Sequence, residues 1–247
     1  MDTKAPSLNS HPSAPANPDS SDLNLRHSLN EKQRNFLIQM SGAPGSGKST
    51  TAHLLAKAID KMTGHSAVVI NHDLIKSFFL TTFPAITTTP TSFDDSAKLA
   101  YRLDFMLAED MMASQGKTTV VIDSVCNYRE CIDSGLATVR KFSEKGWEYK
   151  YLECRVEDVA LLDGRLRDRA GAGSAMPSQR TAVGQRPAAS SSGDRDCGEN
   201  SQALFEKWIR SPARPAEEDG AQVLVVDSKT QTPEECVTYV LKELGLL

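Results

Sequence analysis

A glycine-rich segment between an apolar run and an amphipathic run is the feature that most restricts how this chain folds. Residues 42–49 read GAPGSGKS and match the pattern G-x-x-x-x-G-K-[ST]. The apolar residues 36–41 before it predict a buried strand, and residues 48–62 after it have helical spacing. Glycines let backbone N–H groups close around phosphate oxygens, and the helix N-terminus adds partial positive charge. The segment therefore predicts a strand, a phosphate-binding loop and a helix in direct succession.

Short apolar runs alternate with longer amphipathic segments along the rest of the chain, which is typical of parallel β-sheets with crossover helices. Four further strands are predicted, at residues 67–71, 118–123, 149–155 and 223–226. Further helices are predicted to start near residue 73, to cover residues 94–114, 129–144 and 158–169, and to follow Thr232 with a capping box. The pattern indicates an α/β fold of the three-layer P-loop NTPase type, with about five parallel strands and helices on both faces.

Two polar stretches interrupt this pattern. Residues 1–30 are rich in Ser, Pro, Asn and Asp and hold too few apolar residues to form a core, so we expect a disordered tail. Residues 170–200 are rich in Gly, Ser and Arg and have neither helical nor strand periodicity. We therefore expect one domain over residues 31–247, with a flexible lid insert at about 170–200.

The overall charge excludes some partners and leaves others open. The net charge of −4 and the pI near 5.8 give the chain no overall attraction to nucleic acid or anionic membranes. A local basic pocket is still compatible with this net charge. The sequence lacks an apolar run of about 18 residues and a signal-peptide layout, so we expect no membrane association. The five cysteines lack metal-ligand spacing, which favours reduced thiols and a cytoplasmic location.

The glycine-rich segment has the residue types that bind ATP and Mg²⁺. Lys48 is expected to reach the β- and γ-phosphates, Ser49 to offer its hydroxyl to Mg²⁺, and Thr50 to be either a second contact or an ordinary helix residue. The candidate nucleotide-binding residues are Gly42, Ala43, Pro44, Gly45, Ser46, Gly47, Lys48, Ser49 and Thr50.

Two carboxylates follow predicted strands and are expected at the same edge of the sheet. Asp123 ends the run VVID, a pattern typical of an Asp that holds Mg²⁺ directly or through water, although it could also merely begin a loop. Asp73 follows the second strand, so it should face the crevice that also holds the glycine-rich loop. Its alternative role is a helix N-cap, and the two roles are compatible.

Arginines cluster where the helix over residues 158–169 meets the polar insert. Arg165 and Arg169 share one helix face by their i, i+4 spacing, and arginines on a lid can clamp a migrating phosphoryl group. The alternative is a solvated helix end whose cations complement the helix dipole. Arg180 and Arg186, within the insert, are further candidates.

These motifs, in this order, resemble the P-loop kinases of the zeta-toxin, polynucleotide-kinase and chloramphenicol-phosphotransferase-like group. The resemblance covers roughly residues 36–247 apart from the insert. It implies that Asp73 is the base for the acceptor hydroxyl and that Arg165 and Arg169 are lid arginines. The group often has Asp-x-x-Arg at the position of the base, where this chain has Lys76, so the substrate group held there could differ.

The sequence therefore predicts an ATP-dependent kinase with Mg²⁺ as cofactor and a hydroxyl of a small molecule as acceptor. The catalytic candidates are Asp73, Lys48, Arg165 and Arg169, and the metal candidates are Ser49 and Asp123. A polynucleotide 5′-kinase and a non-catalytic nucleotide-binding regulator stay open as alternatives, with nucleic acid not favoured by the net charge. An Asn-Lys-x-Asp guanine signature is lacking, which disfavours a GTPase, and the sequence names neither the acceptor nor the oligomeric state.

Overall fold

The fold is described from a computed structural model for residues 34–64, 66–83, 92–114, 118–185 and 201–247. The expected tail at residues 1–30 lies outside this part of the chain. So do residues 186–200 of the expected insert, which include Arg186 and Cys197. The described residues belong to one compact unit, Arg34–Leu247.

Five parallel strands form one sheet, which confirms the predicted fold class. The strands are β1 (Asn35–Ser41), β2 (Ser66–Asn71), β3 (Thr118–Asp123), β4 (Trp147–Arg155) and β5 (Gln222–Asp227). Their order across the sheet is β2-β3-β1-β4-β5, so β1 lies in the centre. The carboxyl end of β1 is therefore flanked by those of β3 and β4, and the loop that leaves β1 opens between its neighbours.

Helices connect the strands in the described residues. They are α1 (Lys48–Thr63), α2 (His72–Thr82), α3 (Ser92–Ala113), α4 (Arg129–Arg140), α5 (Val159–Gly171), α6 (Ser201–Arg210) and α7 (Pro233–Glu243). None of these helices is both long enough and apolar enough to cross a membrane. The capping box predicted at the start of α7 is confirmed, because Thr232 accepts from the Glu235 N–H and the Glu235 carboxylate accepts from the Thr232 N–H.

Two helix predictions differ from the structure. The helix predicted over residues 129–144 ends at Arg140, because the N–H groups of Lys141 and Phe142 bond three residues back, to Thr138 and Val139, and tighten the chain. The helix α6, which follows the polar insert, is not among the helices predicted from the sequence.

Alternate residues of the central strand face opposite layers of helices. Phe36, Ile38 and Met40 pack in one cluster with residues of α1 and α7. Leu37 lies in a second cluster, with residues of α3 and α4 on the other face. This alternation makes β1 buried on both faces and holds its carboxyl end rigidly in the sheet.

A polar side chain, Gln39, interrupts the apolar face of β1 toward α4. Gln39 is fully buried, accepts a hydrogen bond of 2.6 Å from the Tyr149 hydroxyl, and donates to the carbonyl oxygen of Cys131 at 3.3 Å and to Cys126 Sγ at 3.1 Å. Cys126 has a positive φ of 44° and belongs to the loop that follows β3. Gln39 therefore ties that loop to the centre of the sheet.

We predict that Tyr149→Phe destabilises the fold, because it leaves the buried Gln39 Oε1 without its donor. The free energy of unfolding, measured by urea denaturation, should fall by about 1–3 kcal/mol. Tyr239→Phe, which removes a hydroxyl from a partly exposed position on α7, is the matched control and should change it by less than about 0.5 kcal/mol. Equal effects of the two substitutions would contradict the role of Gln39.

Candidate active site

The glycine-rich loop between β1 and α1 has the backbone shape that its sequence predicts. Gly42, Gly45 and Gly47 have positive φ angles of 134°, 86° and 89°, which glycine adopts without strain. The Lys48 ammonium folds back into the loop and donates to the carbonyl oxygens of Gly42 at 2.9 Å and Ala43 at 3.0 Å. The loop therefore surrounds a buried cation at the N-terminus of a helix.

Burial governs the electrostatics of that cation. Lys48 is 8% exposed, and burial lowers the pKa of its ammonium, while the negative charge of Asp123 opposes the shift. The Ser46 hydroxyl in the same loop is buried and lacks a hydrogen-bond partner. A buried ammonium at the N-terminus of a helix fits an anionic ligand with several oxygens, such as a polyphosphate.

Asp123 ends β3 next to the loop, as the sequence predicts. It is buried, and its Oδ2 accepts a hydrogen bond of 3.5 Å from the side-chain amide of Asn71, with which it lies in register at the end of β2. Burial raises the pKa of the Asp123 carboxyl, and the nearby Ser49 hydroxyl and Lys48 charge oppose this rise. Asp123 and Ser49 thus offer adjacent oxygen ligands beside the candidate phosphate site, which suits Mg²⁺.

A metal here would depend on ligands from outside the protein. Within the described ranges, no group of three or more His, Cys, Asp and Glu side chains could hold a metal ion. Mg²⁺ in phosphate-handling sites is commonly held by one or two protein oxygens together with substrate phosphates and water. The pair of Ser49 and Asp123 fits that requirement.

Asp73 lies in the first turn of α2 and lines the same cleft. It does not cap the helix through its side chain, because that role belongs to Asn71, whose side-chain oxygen accepts from the Leu74 N–H at 3.1 Å. The Asp73 carboxylate instead accepts hydrogen bonds from Ser178 at 3.1 Å and from Gln179 at 2.9 Å. It therefore connects α2 to the loop that follows α5.

The two candidate lid arginines lie on α5 and both line the cleft, but they have different partners. Arg165 donates to the carbonyl oxygen of Gly45 at 3.2 Å and to the carbonyl oxygen of Ser228 at 2.8 Å, so it joins the glycine-rich loop to the loop after β5. Arg169 donates to the carbonyl oxygen of Arg180 at 2.9 Å, while its Nε is buried without a partner. Burial lowers the pKa of Arg169, and the charge of Asp73 opposes that shift.

Most of the candidate nucleotide-binding residues lie on the cleft surface, and the others lie beneath it. Pro44, Gly45, Gly47, Lys48, Ser49 and Thr50 line the cleft. Gly42, Ala43 and Ser46 are buried inside the loop. Ala43 packs in one cluster with Leu162 and Leu166, so the loop and α5 share an apolar contact.

The cleft is large and cationic although the chain is acidic. Its volume is about 1670 Å³, enough for more than one ligand of ordinary size. Among its lining residues, the cations are Lys48, Lys76, Lys98, Arg102, Arg165, Arg169, Arg180 and Lys207. The carboxylates of the lining are fewer: Asp73, Asp123 and Glu130. This local excess of positive charge attracts anionic ligands to a protein with a net charge of −4.

The cleft also contains a contact between α2 and α3 that the sequence did not predict, although the sequence suggested that His72 fixes the loop there. His72 is buried, stacks on the ring of Tyr101 at 4.0 Å and bonds through Nδ1 to the buried Asp104 carboxylate at 2.7 Å. Burial raises the pKa of the Asp104 carboxyl, and the hydrogen bond to His72 opposes this rise. The pair fixes α2 against α3 just below Asp73. The helical spacing of residues 94–114 placed Tyr101 and Asp104 on a helix but gave no reason to connect them with His72.

The comparisons with known proteins concern the family and the fold. The sequence model of the family described as Zeta toxin matches residues 22–152, just over half of the chain. None of the curated proteins matches the sequence. A crystal structure of a proposed kinase from Chloroflexus aurantiacus J-10-fl superposes with a TM-score of 0.54 at 16% identity, covering 85% of this chain and 98% of that chain. This likeness supports the fold.

Two further solved structures are more distant. One is the APS kinase CysC of Mycobacterium tuberculosis in complex with AMPPNP and APS, with a TM-score of 0.46, 15% identity, and coverage of 86% of this chain and 98% of that one. The other is a gluconokinase from Sinorhizobium meliloti 1021, with a TM-score of 0.46, 18% identity, and coverage of 85% and 91%.

We predict that Lys48→Ala weakens the binding of a non-hydrolysable ATP analogue by about 10- to 100-fold, because charged hydrogen bonds of this kind contribute about 1.5–3 kcal/mol. Isothermal titration calorimetry measures the effect. Lys57→Ala removes the same charge from an exposed position of α1 and should leave the affinity unchanged. Unchanged affinity in the Lys48 variant would mean that the phosphates bind elsewhere.

Proposed function

This chain belongs to the Zeta toxin family, and from that premise we propose that it is an ATP-dependent kinase that phosphorylates a hydroxyl of a small molecule. The observation that carries the proposal is the presence of two carboxylates with different surroundings in one cleft. Asp123 lies beside Ser49 and Lys48, at the phosphate-binding loop. Asp73 lies on α2, with hydrogen bonds to the loop after the lid helix. An ATPase needs the first carboxylate, whereas a kinase also needs a group that orients the acceptor.

Lys48 and the glycine-rich loop bind the phosphates in this proposal. The ammonium exchanges its bonds to the Gly42 and Ala43 carbonyl oxygens for bonds to phosphate oxygens. The N–H groups at the start of α1 supply further donors. These groups neutralise charge that grows on the leaving phosphate oxygens during transfer.

Ser49 and Asp123 hold the metal in this proposal. Bound there, Mg²⁺ would neutralise part of the negative charge of the phosphates. The Ser49 hydroxyl lies near the Asp123 carboxylate, so the two oxygens are available to the same ion. Both residues act on the donor nucleotide and leave the acceptor to other groups.

Asp73 accepts the proton of the acceptor hydroxyl, and Arg169 stabilises the charge on the transferred group. Each carboxylate oxygen of Asp73 has one hydrogen bond from the protein, which leaves a further lone pair on each for the acceptor. The charge of Asp73 acts on Arg169, whose buried Nε–H has no partner, and we assign this donor to the transferred group. Arg165 keeps the glycine-rich loop in place through Gly45.

A polynucleotide 5′-hydroxyl kinase is the second candidate, and the cationic lining of the cleft favours it. Lys98, Arg102 and Lys207 add positive charge beyond the residues that we assign to ATP. Arg180 lies over the ring of Trp208 at 5.3 Å, and an aromatic ring beside cations is also a feature of single-strand binding sites. An oligonucleotide with a free 5′-hydroxyl therefore belongs in any acceptor panel.

We predict that Asp73→Asn lowers the rate of acceptor phosphorylation by about 10²- to 10⁴-fold, because a positioned general base contributes that much. ATP affinity should stay within about threefold, since the phosphates are bound by other groups. Transfer of label from γ-labelled ATP to an acceptor found by panel screening measures the rate. Asp110→Asn, on the exposed side of α3, is the matched control. Full activity with reduced thermal stability would assign Asp73 a structural role instead.

We predict a different defect for Asp123→Asn. Removing the charge of a metal-binding carboxylate should raise the Mg²⁺ concentration needed for half-maximal turnover by about tenfold or more. A titration of Mg²⁺ at saturating ATP measures this shift for Asp123→Asn and for Asp73→Asn side by side. Equal Mg²⁺ requirements in the two variants would contradict the separate tasks that we assign to the two carboxylates.

A further inference from the structure

The Asp73 carboxylate is held from both sides by two neighbouring residues of the loop that follows α5. Ser178 Oγ lies 3.1 Å from Asp73 Oδ1, and Gln179 Nε2 donates to Asp73 Oδ2 at 2.9 Å. Both loop residues are buried, with 6% and 9% exposure. We call Ser178 and Gln179 the Asp73 clamp.

The orientation of the Gln179 amide follows from its second contact. Its Oε1 accepts a hydrogen bond of 3.2 Å from the backbone N–H of Met176. Because that donor can be satisfied only by the oxygen, Nε2 must be the atom that faces Asp73. Gln179 is therefore a fixed donor to the carboxylate.

Ser178 is fixed against α2 by a closed set of hydrogen bonds. Its backbone N–H donates to Ser77 Oγ at 3.2 Å, and the Ser77 hydroxyl donates to Ser178 Oγ at 3.0 Å. The Ser178 hydroxyl hydrogen is thereby left for Asp73, where the backbone oxygen at 3.0 Å and Oδ1 at 3.1 Å share it. The loop thus docks on the helix that carries the candidate base.

The same loop is bonded to the lid helix one residue further on. The carbonyl oxygen of Arg180 accepts from Arg169 Nη2 at 2.9 Å. Three consecutive loop residues therefore contact Asp73 on α2 and Arg169 on α5. This loop therefore connects the candidate base directly to the lid arginine.

We propose that Ser178 and Gln179 are positioning residues, which fix the plane of the Asp73 carboxylate so that its remaining lone pairs face the acceptor hydroxyl. This inference rests on the proposed kinase function. A carboxylate without these donors rotates about its terminal torsion, which is broad, and loses the alignment that proton transfer needs. Because the clamp residues lie on the loop after α5, the Asp73 carboxylate is aligned only while this loop is docked on α2.

The substitution Gln179→Glu tests the clamp selectively. Glutamate keeps an oxygen for the Met176 N–H but replaces the donor to Asp73 with a second negative charge. Gln185→Glu makes the same chemical change in the same loop, at an exposed residue that we assign no part in the site, and is the matched control. Ser178→Ala removes the other donor without adding charge.

Hydrogen–deuterium exchange of the backbone amides of residues 176–180, in the full chain, reports whether the loop is docked. We expect exchange at least about tenfold faster in Gln179→Glu and unchanged in Gln185→Glu, since losing the bonds that hold a loop raises its local opening. The double variant Asp73→Asn/Gln179→Glu swaps the positions of the amide and the carboxylate, which restores one hydrogen bond between them. Its rate of hydrogen–deuterium exchange should therefore return close to that of the wild type. Wild-type exchange in Gln179→Glu would overturn the clamp.

Kinetics separate positioning from a purely structural contact. For the acceptor found by panel screening, kcat should fall about 10- to 100-fold in Gln179→Glu, with the KM for ATP within about twofold. In an Asp73→Asn background the same substitution should cause no further loss, because the two residues act through one group. Full kcat in Gln179→Glu would overturn the positioning role alone. A wild-type protein that phosphorylates no acceptor would overturn the kinase proposal and the positioning role together, whatever the exchange measurement gives.

Discussion

The tight turn from β1 into α1 is the constraint on which the cleft depends. A Cβ atom at Gly42 would lie 2.3 Å from the carbonyl oxygen of Cys154 in β4, and φ at this glycine is 134°. A side chain would force the loop away from the neighbouring strand. Because the loop passes so close to β4, it turns directly into α1, where the Lys48 ammonium reaches back to the Gly42 and Ala43 carbonyl oxygens. One glycine thus determines where the buried cation lies and where phosphates can bind.

Cationic side chains and buried polar atoms without a partner surround the cleft beside this turn. Among the described residues, the buried side-chain atoms without a hydrogen-bond partner are Ser46 Oγ, Tyr101 OH, Asp104 Oδ1, Ser124 Oγ and Arg169 Nε. Each belongs to the cleft lining, to the glycine-rich loop or to a residue bonded to the lining. Buried polar groups are ordinarily paired, so a cluster of unpaired ones indicates where a ligand supplies the partners. The cationic lining gives the sign of that ligand's charge.

The sequence predicted the features that depend on local pattern. Apolar periodicity identified all five strands, and the glycine spacing identified the phosphate-binding loop. The apolar residues at positions 204, 205, 208 and 209 carry a helical signal for α6 that the adjacent polar stretch obscured.

The contacts of the site could not be predicted in the same way. Gln179 meets Asp73 across 106 residues of chain, and Gln39 meets Tyr149 across 110. No local periodicity encodes such pairs, since they arise only when the sheet brings distant loops together. The sequence also allowed Asp73 to be the N-cap of α2. In the structure the Asn71 side chain has that role, because it accepts from the Leu74 N–H.

The fate of the γ-phosphate tests the central claim most directly. The wild-type protein would be incubated with γ-labelled ATP, Mg²⁺ and a panel of hydroxyl compounds that includes an oligonucleotide with a free 5′-hydroxyl. The amounts of label in phosphorylated acceptor and in inorganic phosphate are then measured. A kinase with Asp73 as its base predicts that one acceptor class takes up most of the label. Release of inorganic phosphate alone, at a rate that no acceptor changes, would contradict the account and leave a P-loop ATPase.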